Sequence, residues 1–328
     1  MKLVLAPLAD FTNAAFRKIA HELGADFAYT EMVSAAALAH GSSQTRHLFE
    51  MLPGEGPVAC QIFGHDPDDL AFAAREATAL KRFVALDFNA GCPMPRIRHE
   101  GDGAALVPKP QLVHDLLVAI KRETDLPVTL KTRPGPSPDR VTLFELLDAA
   151  ETAGCAGITL HARFTSQMHG GTVHLDLLAE LVQRAHIPVT GNGGIHDEAT
   201  LKAMLETGVD AVMLGRAAIT NPAIFAAFKG LPAPSRKELF LRHIEYLLDL
   251  QGQLSRNFPN DHVPPPDGFV SVALHRHLFH YFRGIPGAAE IRRRLNTIRT
   301  LAETRALAES FPPRSFSVAA QERTDHLM

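Results

Sequence analysis

The chain predicts an α/β protein: a (β/α)8 TIM barrel followed by a small C-terminal helical domain. Three observations carry this. Eight short apolar, β-rich runs recur through the first 230 residues, and stretches with helical spacing separate most of them. Beyond Gly230 the β-rich runs stop and only helical spacing continues. Near-continuous apolar runs belong to parallel strands buried on both faces, with the intervening helices as crossovers. Eight such units suit a closed barrel, which typically takes about 250 residues. A doubly wound open sheet is the structural rival. It more often shows a glycine-rich fingerprint after its first strand, and APLADF has no glycine.

In chain order, strands are expected at 3–6, 27–31, 58–63, 84–88, 128–131, 157–160, 188–190 and 211–214. Helices are expected at 68–80, 112–122, 143–153, 175–184 and 198–206, where apolar residues recur three and four apart. LPAPSRKE reads as a proline-bearing linker, 239–250 as a helix and the proline-rich 257–268 as a loop. Residues 270–310 read as helices broken at 284–287 (GIPG). The expected division is a catalytic barrel at 1–232, a helical domain at 233–311 and a frayed tail at 312–328.

Composition narrows the class. With 46% hydrophobic and 21% charged residues, the chain can bury a large core and is not a disordered one. No apolar run approaches the ~20 residues of a membrane-spanning helix. MKLVLAPLADF reads as a buried strand, since its apolar run is shorter than a secretory signal requires. Cys60, Cys92 and Cys155 are odd in number and widely spaced, which supports neither a disulfide framework nor a cysteine-type zinc site. A cytoplasmic protein without a metal centre is expected.

In such a barrel the strand C-termini and the loops after them build the active site. Every run from the third to the eighth carries polar groups there: Gln61; Asn89 and Cys92; Lys131 and Arg133; His161 and Arg163; Asn192-Gly193-Gly194; Gly215-Arg216. Any one of them alone is more simply a loop-anchoring hydrogen bonder; together they mark a site. The glycine-bearing loops NGGI and LGRA each lead into a helix, so backbone N–H groups can approach an anion, and Arg216 adds a charge-matched fork. Helix caps and turns are the bland reading of those glycines. A phosphate-bearing cofactor or substrate is the favoured one. Cys92 lies in a loop between Gly91 and Pro93, whereas Cys60 and Cys155 sit in apolar or helical stretches as small core residues. A thiol at a barrel mouth can act as nucleophile or proton donor. Lys131 can form a Schiff base, as in aldolases, or pair with Arg133 on the same side of an extended strand as an anion site.

These residues lie in motifs that carry a family resemblance. APLADFTNAAFR, TEMVSA, QIFG, DFNAGCPMPRI with GDGAALV, LKTRPG, ITLHARFTSQ, VTGNGGI and VMLGRAAITNPAIF follow one another in order. HRHLFHYFRGIPGAAEIRRRL extends the likeness to about residue 310. Over that span the chain resembles the tRNA-dihydrouridine synthases, flavoenzymes that reduce specific uridines in RNA. The resemblance implies FMN as cofactor and NADPH as reductant. It places Pro7 and Ala9 against the ring edge, Gln61, Lys131 and His161 on the ring, and Asn192, Gly193, Gly194, Gly215 and Arg216 at the phosphate. Cys92 would protonate uridine C5 while hydride reaches C6. Asn89, Arg133, Arg163, His169, Arg292 and Arg293 would contact the RNA, most simply a tRNA, and the protein would be a monomer. The sequence departs from the family at Asp10, where glycine is usual, and at Asn13, where aspartate is usual. It departs again at Phe164-Thr165 in place of Thr-Arg, at His169 for a tyrosine and at Leu175 for a tryptophan. These changes touch the RNA side of the site and leave open another RNA, such as ribosomal RNA. The rival functions are a reductase of a small unsaturated metabolite, an RNA-binding protein with a damaged site, and a flavin-free aldolase using Lys131.

The formal net charge of −3 by itself argues against a uniformly basic RNA binder. Residues 1–230 hold 20 Lys and Arg against 26 Asp and Glu, whereas residues 231–328 hold 13 against 10. Within 275–305, seven arginines face two glutamates, an electrostatic footprint for RNA that the sum conceals.

Overall fold

The computed structural model describes residues 1–283, 288–295 and 297–311. The barrel strands are β1 (Lys2–Leu5), β2 (Phe27–Tyr29), β3 (Val58–Phe63), β4 (Ala85–Asn89), β5 (Val128–Thr132), β6 (Gly157–His161), β7 (Val189–Asn192) and β8 (Ala211–Leu214). All pair in parallel with their sequence neighbours. β1 pairs with β8, which closes the sheet, and β2 pairs with both β1 and β3. A further two-residue strand, Val33–Ser34, runs beside the end of β3. The expected strands are all present. β4 to β7 run one or two residues further than the apolar pattern predicts, so Asn89, Thr132, His161 and Asn192 join the strands. Backbone pairing continues past the last apolar side chain, which periodicity cannot report.

Two apolar regions hold the barrel. The larger lies between sheet and helices, with Leu3, Leu5, Ile62, Leu86, Phe88, Leu130 and Leu160 facing helices such as Pro67–Ala79 and Pro110–Arg122. The smaller plugs the lumen with Val4, Ala6, Tyr29, Ala59, Ala85, Ala211 and Met213. Cys60 and Cys155 are buried, as expected of core residues. Helix Ala14–Glu22, absent from the sequence-based set, starts at Asn13, whose side chain accepts from the Phe16 N–H at 3.1 Å. Asparagine thus caps the helix as an aspartate would.

The C-terminal helices are Arg236–Asn257, Pro266–Tyr281, Ala288–Leu295 and Leu301–Ala306, the last continuing into a 3-10 turn at Leu307–Ser310. The expected loop at 257–268 is shorter, because Pro266, Asp267 and Gly268 open the second of these helices. Proline fits the first helical turn, whose N–H groups have no intrahelical acceptor. Arg236–Asn257 packs on Ala14–Glu22: the Phe16 and His243 rings lie 5.9 Å apart and Arg242 pairs with Glu22 at 3.0 Å. Pro266–Tyr281 meets the loop after β1 and the short helix after β8. His277 Nε2 lies 3.2 Å from the Phe11 carbonyl, Arg276 pairs with Asp10, and His280 Nδ1 lies 3.4 Å from Thr220 Oγ1. These contacts seat that helix on the C-terminal rim of the barrel. Residues 284–287 and 312–328, read above as a helix break and a tail, lie outside the described residues.

Candidate active site

Side chains alternate along a strand, so every second residue of a barrel strand faces the lumen. Above the apolar plug this parity selects a polar set. Gln61 stands two residues beyond Ala59, and Asp87 and Asn89 continue from Ala85. Register places Gln61, Asp87 and Thr129 side by side on β3, β4 and β5, and Asn89 beside Lys131. Gln61 Nε2 donates to Asp87 Oδ2 at 2.6 Å, and Thr129 Oγ1 donates to Asp87 Oδ1 at 2.5 Å. Asp87 is fully buried; burial pushes its carboxyl up from the ordinary value, against the pull of these two bonds and of Lys131. Lys131 is pushed down, chiefly by burial, with Asp87 acting to hold its charge; its Nζ lies 3.4 Å from Asn192 Oδ1.

Cys92 sits just beyond β4 on a braced loop. Asn89 Oδ1 accepts from the N–H groups of both Gly91 (3.0 Å) and Cys92 (2.9 Å), folding the chain back over the strand end. The Cys92 carbonyl accepts from Ala104 N–H at 2.9 Å. Gly103 packs beneath it with φ +56°, where a Cβ would stand 2.8 Å from that carbonyl oxygen. Burial raises the Cys92 thiol above its ordinary value, more than Arg133 and Lys131 lower it. It therefore carries its proton at neutral pH.

A cluster of cations lines the mouth beside this loop, at the ends of β5, β6 and β8. Arg163 Nε donates to the Gly171 carbonyl at 3.1 Å, and its guanidinium lies against Gly193 and Gly194. Arg216 Nη2 donates to the His169 carbonyl at 2.8 Å. His161 is held well below its ordinary pKa by burial and by the charges of Arg133, Lys131 and Arg163, and its buried Nε2 has no protein partner among the described residues. His169, 6.0 Å away between ring centroids, is lowered to about 4 by burial and the same cations with Arg216. Both imidazoles are neutral at pH 7. Gly193 and Gly194 have φ of +122° and +73°, and a Cβ on Gly194 would stand 2.6 Å from Val173. An open backbone turn, an orphaned ring nitrogen and gathered positive charge fit a phosphate-bearing aromatic ligand.

The other predicted residues fall as follows. Gly215 precedes the short helix Arg216–Thr220, Pro7 is half-buried and Ala9 is exposed in the loop after β1. Asn192 spends its Nδ2 on the Met213 carbonyl at 2.8 Å. Arg133 is 1% exposed, and its fork is turned onto backbone carbonyls: Gly91 (2.7 Å), Arg163 (3.2 Å) and Phe164 (3.1 Å). It ties the Cys92 loop to the loop after β6. Arg293 is exposed and pairs with Glu290 at 2.7 Å, while the side chain of Arg292 lies outside the described residues. Asp87 and Thr129 were absent from the sequence-based set. The available signal was a carboxylate in the middle of an apolar strand, two residues before Asn89. Asp10 takes φ +67°, which explains why glycine suits that position; its N–H donates to Glu31 Oε2 at 2.5 Å.

Closed parallel barrel, braced thiol and cationic mouth define a barrel enzyme whose polar groups gather at the strand C-termini. Residues 4–317 match the family model of dihydrouridine synthase, and the chain belongs to that family of oxidoreductases. It is 38% identical to a probable tRNA-dihydrouridine synthase of Treponema pallidum over 67% of this chain and 68% of that protein. It is 32% identical to tRNA-dihydrouridine synthase B of Yersinia pestis over 94% of this chain and 95% of that one. The old yellow enzyme homologue of Zymomonas mobilis shares the fold at 15% identity, with a TM-score of 0.52 over 71% of this chain and 90% of that chain. Among the described residues no helix is long and apolar enough to cross a membrane.

Proposed function

We propose that this protein is an FMN-dependent tRNA-dihydrouridine synthase that draws its reducing equivalents from NADPH. The braced, protonated thiol of Cys92 beside a cluster of cations at the barrel mouth is the observation that carries the reading. The donor set suits FMN: Asn192, Gly193, Gly194, Gly215 and Arg216 would hold its phosphate, joined by Arg163, expected from sequence to contact RNA but lying against the same glycines, and Gln61, Lys131 and His161 would meet its ring. When bound, the flavin supplies hydride to uridine C6.

The chain's own residues do the rest. Negative charge develops toward O4 as C6 is attacked, and Lys131, a cation in a low-dielectric lumen, offsets it. The Cys92 Sγ–H gives its proton to C5; the raised thiol keeps that proton available at neutral pH. Asn89 fixes the loop that presents the thiol, and Arg133 locks the loop from the other side. Helix Pro266–Tyr281 belongs to an RNA-contacting domain at 233–311. Its contacts with the loops after β1 and β8 support this, as do exposed Val272, Arg276 and Phe279 along one face.

Two measurements test the proposal. The purified protein should show flavin absorption and release FMN on denaturation. RNA from cells lacking the protein should lose dihydrouridine at one or more tRNA positions. Loss in ribosomal RNA alone would redirect the assignment, and no loss in any RNA would end it.

A further inference from the structure

The lumen holds a continuous polar chain whose inner end, Thr129 and Asp87, has no part in the proposed reaction. It starts at Thr129 Oγ1, passes to Asp87, then Gln61, then Asn89, and ends on the N–H groups of Gly91 and Cys92. The contacts along it are 2.5, 2.6, 2.9, and 3.0 and 2.9 Å. Its direction follows from its ends. A backbone N–H only donates, so Asn89 must turn Oδ1 to the loop and Nδ2 inward. Gln61 must then present Oε1 to Asn89 and Nε2 to the next group. That next group has to accept, and a carboxylate is the acceptor-only side chain. Asp87 fills the position while fully buried at the level of Gln61 and Thr129. Burying a carboxylate is unfavourable unless its hydrogen bonds compensate.

We propose that Asp87 is a positioning residue: its carboxylate sets the polarity of the Gln61–Asn89 amide chain and thereby holds the Cys92 loop. This rests on the reading of Cys92 as the proton donor. A change at the bottom of the chain should reach the thiol through two amides without touching substrate. Asn89→Asp alone should frustrate the chain, because Gln61 then lies between two carboxylates with only one donor end. Adding Asp87→Asn should repair it with the direction reversed. Thr129 Oγ1 then donates to the oxygen of the amide introduced at position 87, and that amide's nitrogen donates to Gln61 Oε1. Gln61 Nε2 in turn donates to the carboxylate introduced at position 89, which still accepts from the loop N–H groups.

The test is a double-mutant cycle on the purified full chain, read by the rate of Cys92 alkylation by iodoacetamide across pH and by thermal midpoint. Asn89→Asp should alkylate at least about threefold faster than the parent and melt lower, and the double variant should move back toward the parent on both readouts. If Asn89→Asp yields no folded protein, Asp87→Asn must restore it. Additive or worse behaviour in the double variant, or failure of both to fold, overturns the proposal. Because neither readout needs RNA or turnover, a rescued cycle in a protein that makes no dihydrouridine would sink the assigned function and leave the relay standing.

Discussion

Replacing Arg133 by lysine isolates the geometry of its fork from its charge. The guanidinium spans two loops, with Nε on the Gly91 carbonyl and Nη1 on the Arg163 and Phe164 carbonyls. A single ammonium cannot reach both sides, so one or two charge-assisted bonds are lost, each about 1.5–3 kcal/mol. Burial lowers the Arg133 pKa to about 10, which leaves it charged at pH 7, so the parent bonds are charge-assisted. The expected loss is about 2–4 kcal/mol of stability. With an unfolding entropy near 2 cal/mol/K per residue, this lowers the melting midpoint by roughly 3–6 °C. Differential scanning calorimetry measures the shift, and iodoacetamide labelling of Cys92 reports the released loop, expected to quicken about threefold or more. An unchanged midpoint with unchanged labelling would show that the fork carries no mechanical load. A large loss of RNA affinity with both readouts unchanged would return Arg133 to the substrate contacts.

Cys92→Ala should keep bound flavin and its absorption while uridine reduction in single turnover falls by about 10²–10⁴, the usual scale of general acid catalysis; parental turnover would refute the acid role. Gly194→Ala forces a side chain into φ +73° and against Val173, a strain of about 1–3 kcal/mol, so FMN affinity measured by fluorescence quenching should drop about tenfold or more. Parental affinity would remove the loop from the phosphate site. Acid should loosen the C-terminal helices through His243 and His277, both buried against Phe16 at the barrel contact. Burial lowers His243 to about 3, and His277, also lowered by the neighbouring His243 and His280, lies well below its ordinary value. Their other neighbours are the Tyr281 hydroxyl and the Phe11 carbonyl. A depressed histidine means the unfolded chain binds the extra proton. Stability is therefore full above about pH 6.5 and falls as pH drops toward about 3, by about 1.4 kcal/mol per pH unit for each such histidine. Urea unfolding of His243→Leu between about pH 6.5 and 4.5 should show a slope shallower by about that amount, and an unaltered slope would contradict it.

Much of this protein was legible in one dimension. Apolar runs and helical spacing marked all eight barrel strands, because strand and helix periods are local properties of the chain. The strand C-termini pointed to Gln61, Asn89, Lys131 and His161, and period two explains why they share the lumen. The loop position of Cys92 separated it from the buried Cys60 and Cys155.

Tertiary structure alone decided how those groups are used. That Arg133 faces three carbonyls depends on where the loops after β4 and β6 meet, contacts some thirty to forty residues apart in sequence. That Asp87 accepts from both Gln61 and Thr129 depends on the register of three strands, which no single strand encodes. The seating of helix Pro266–Tyr281 on the barrel rim joins Asp10 to Arg276, 266 residues apart. Local periodicity selects elements and faces. Which donor is consumed by which acceptor is a property of the closed barrel, because each partner arrives from a different strand or loop.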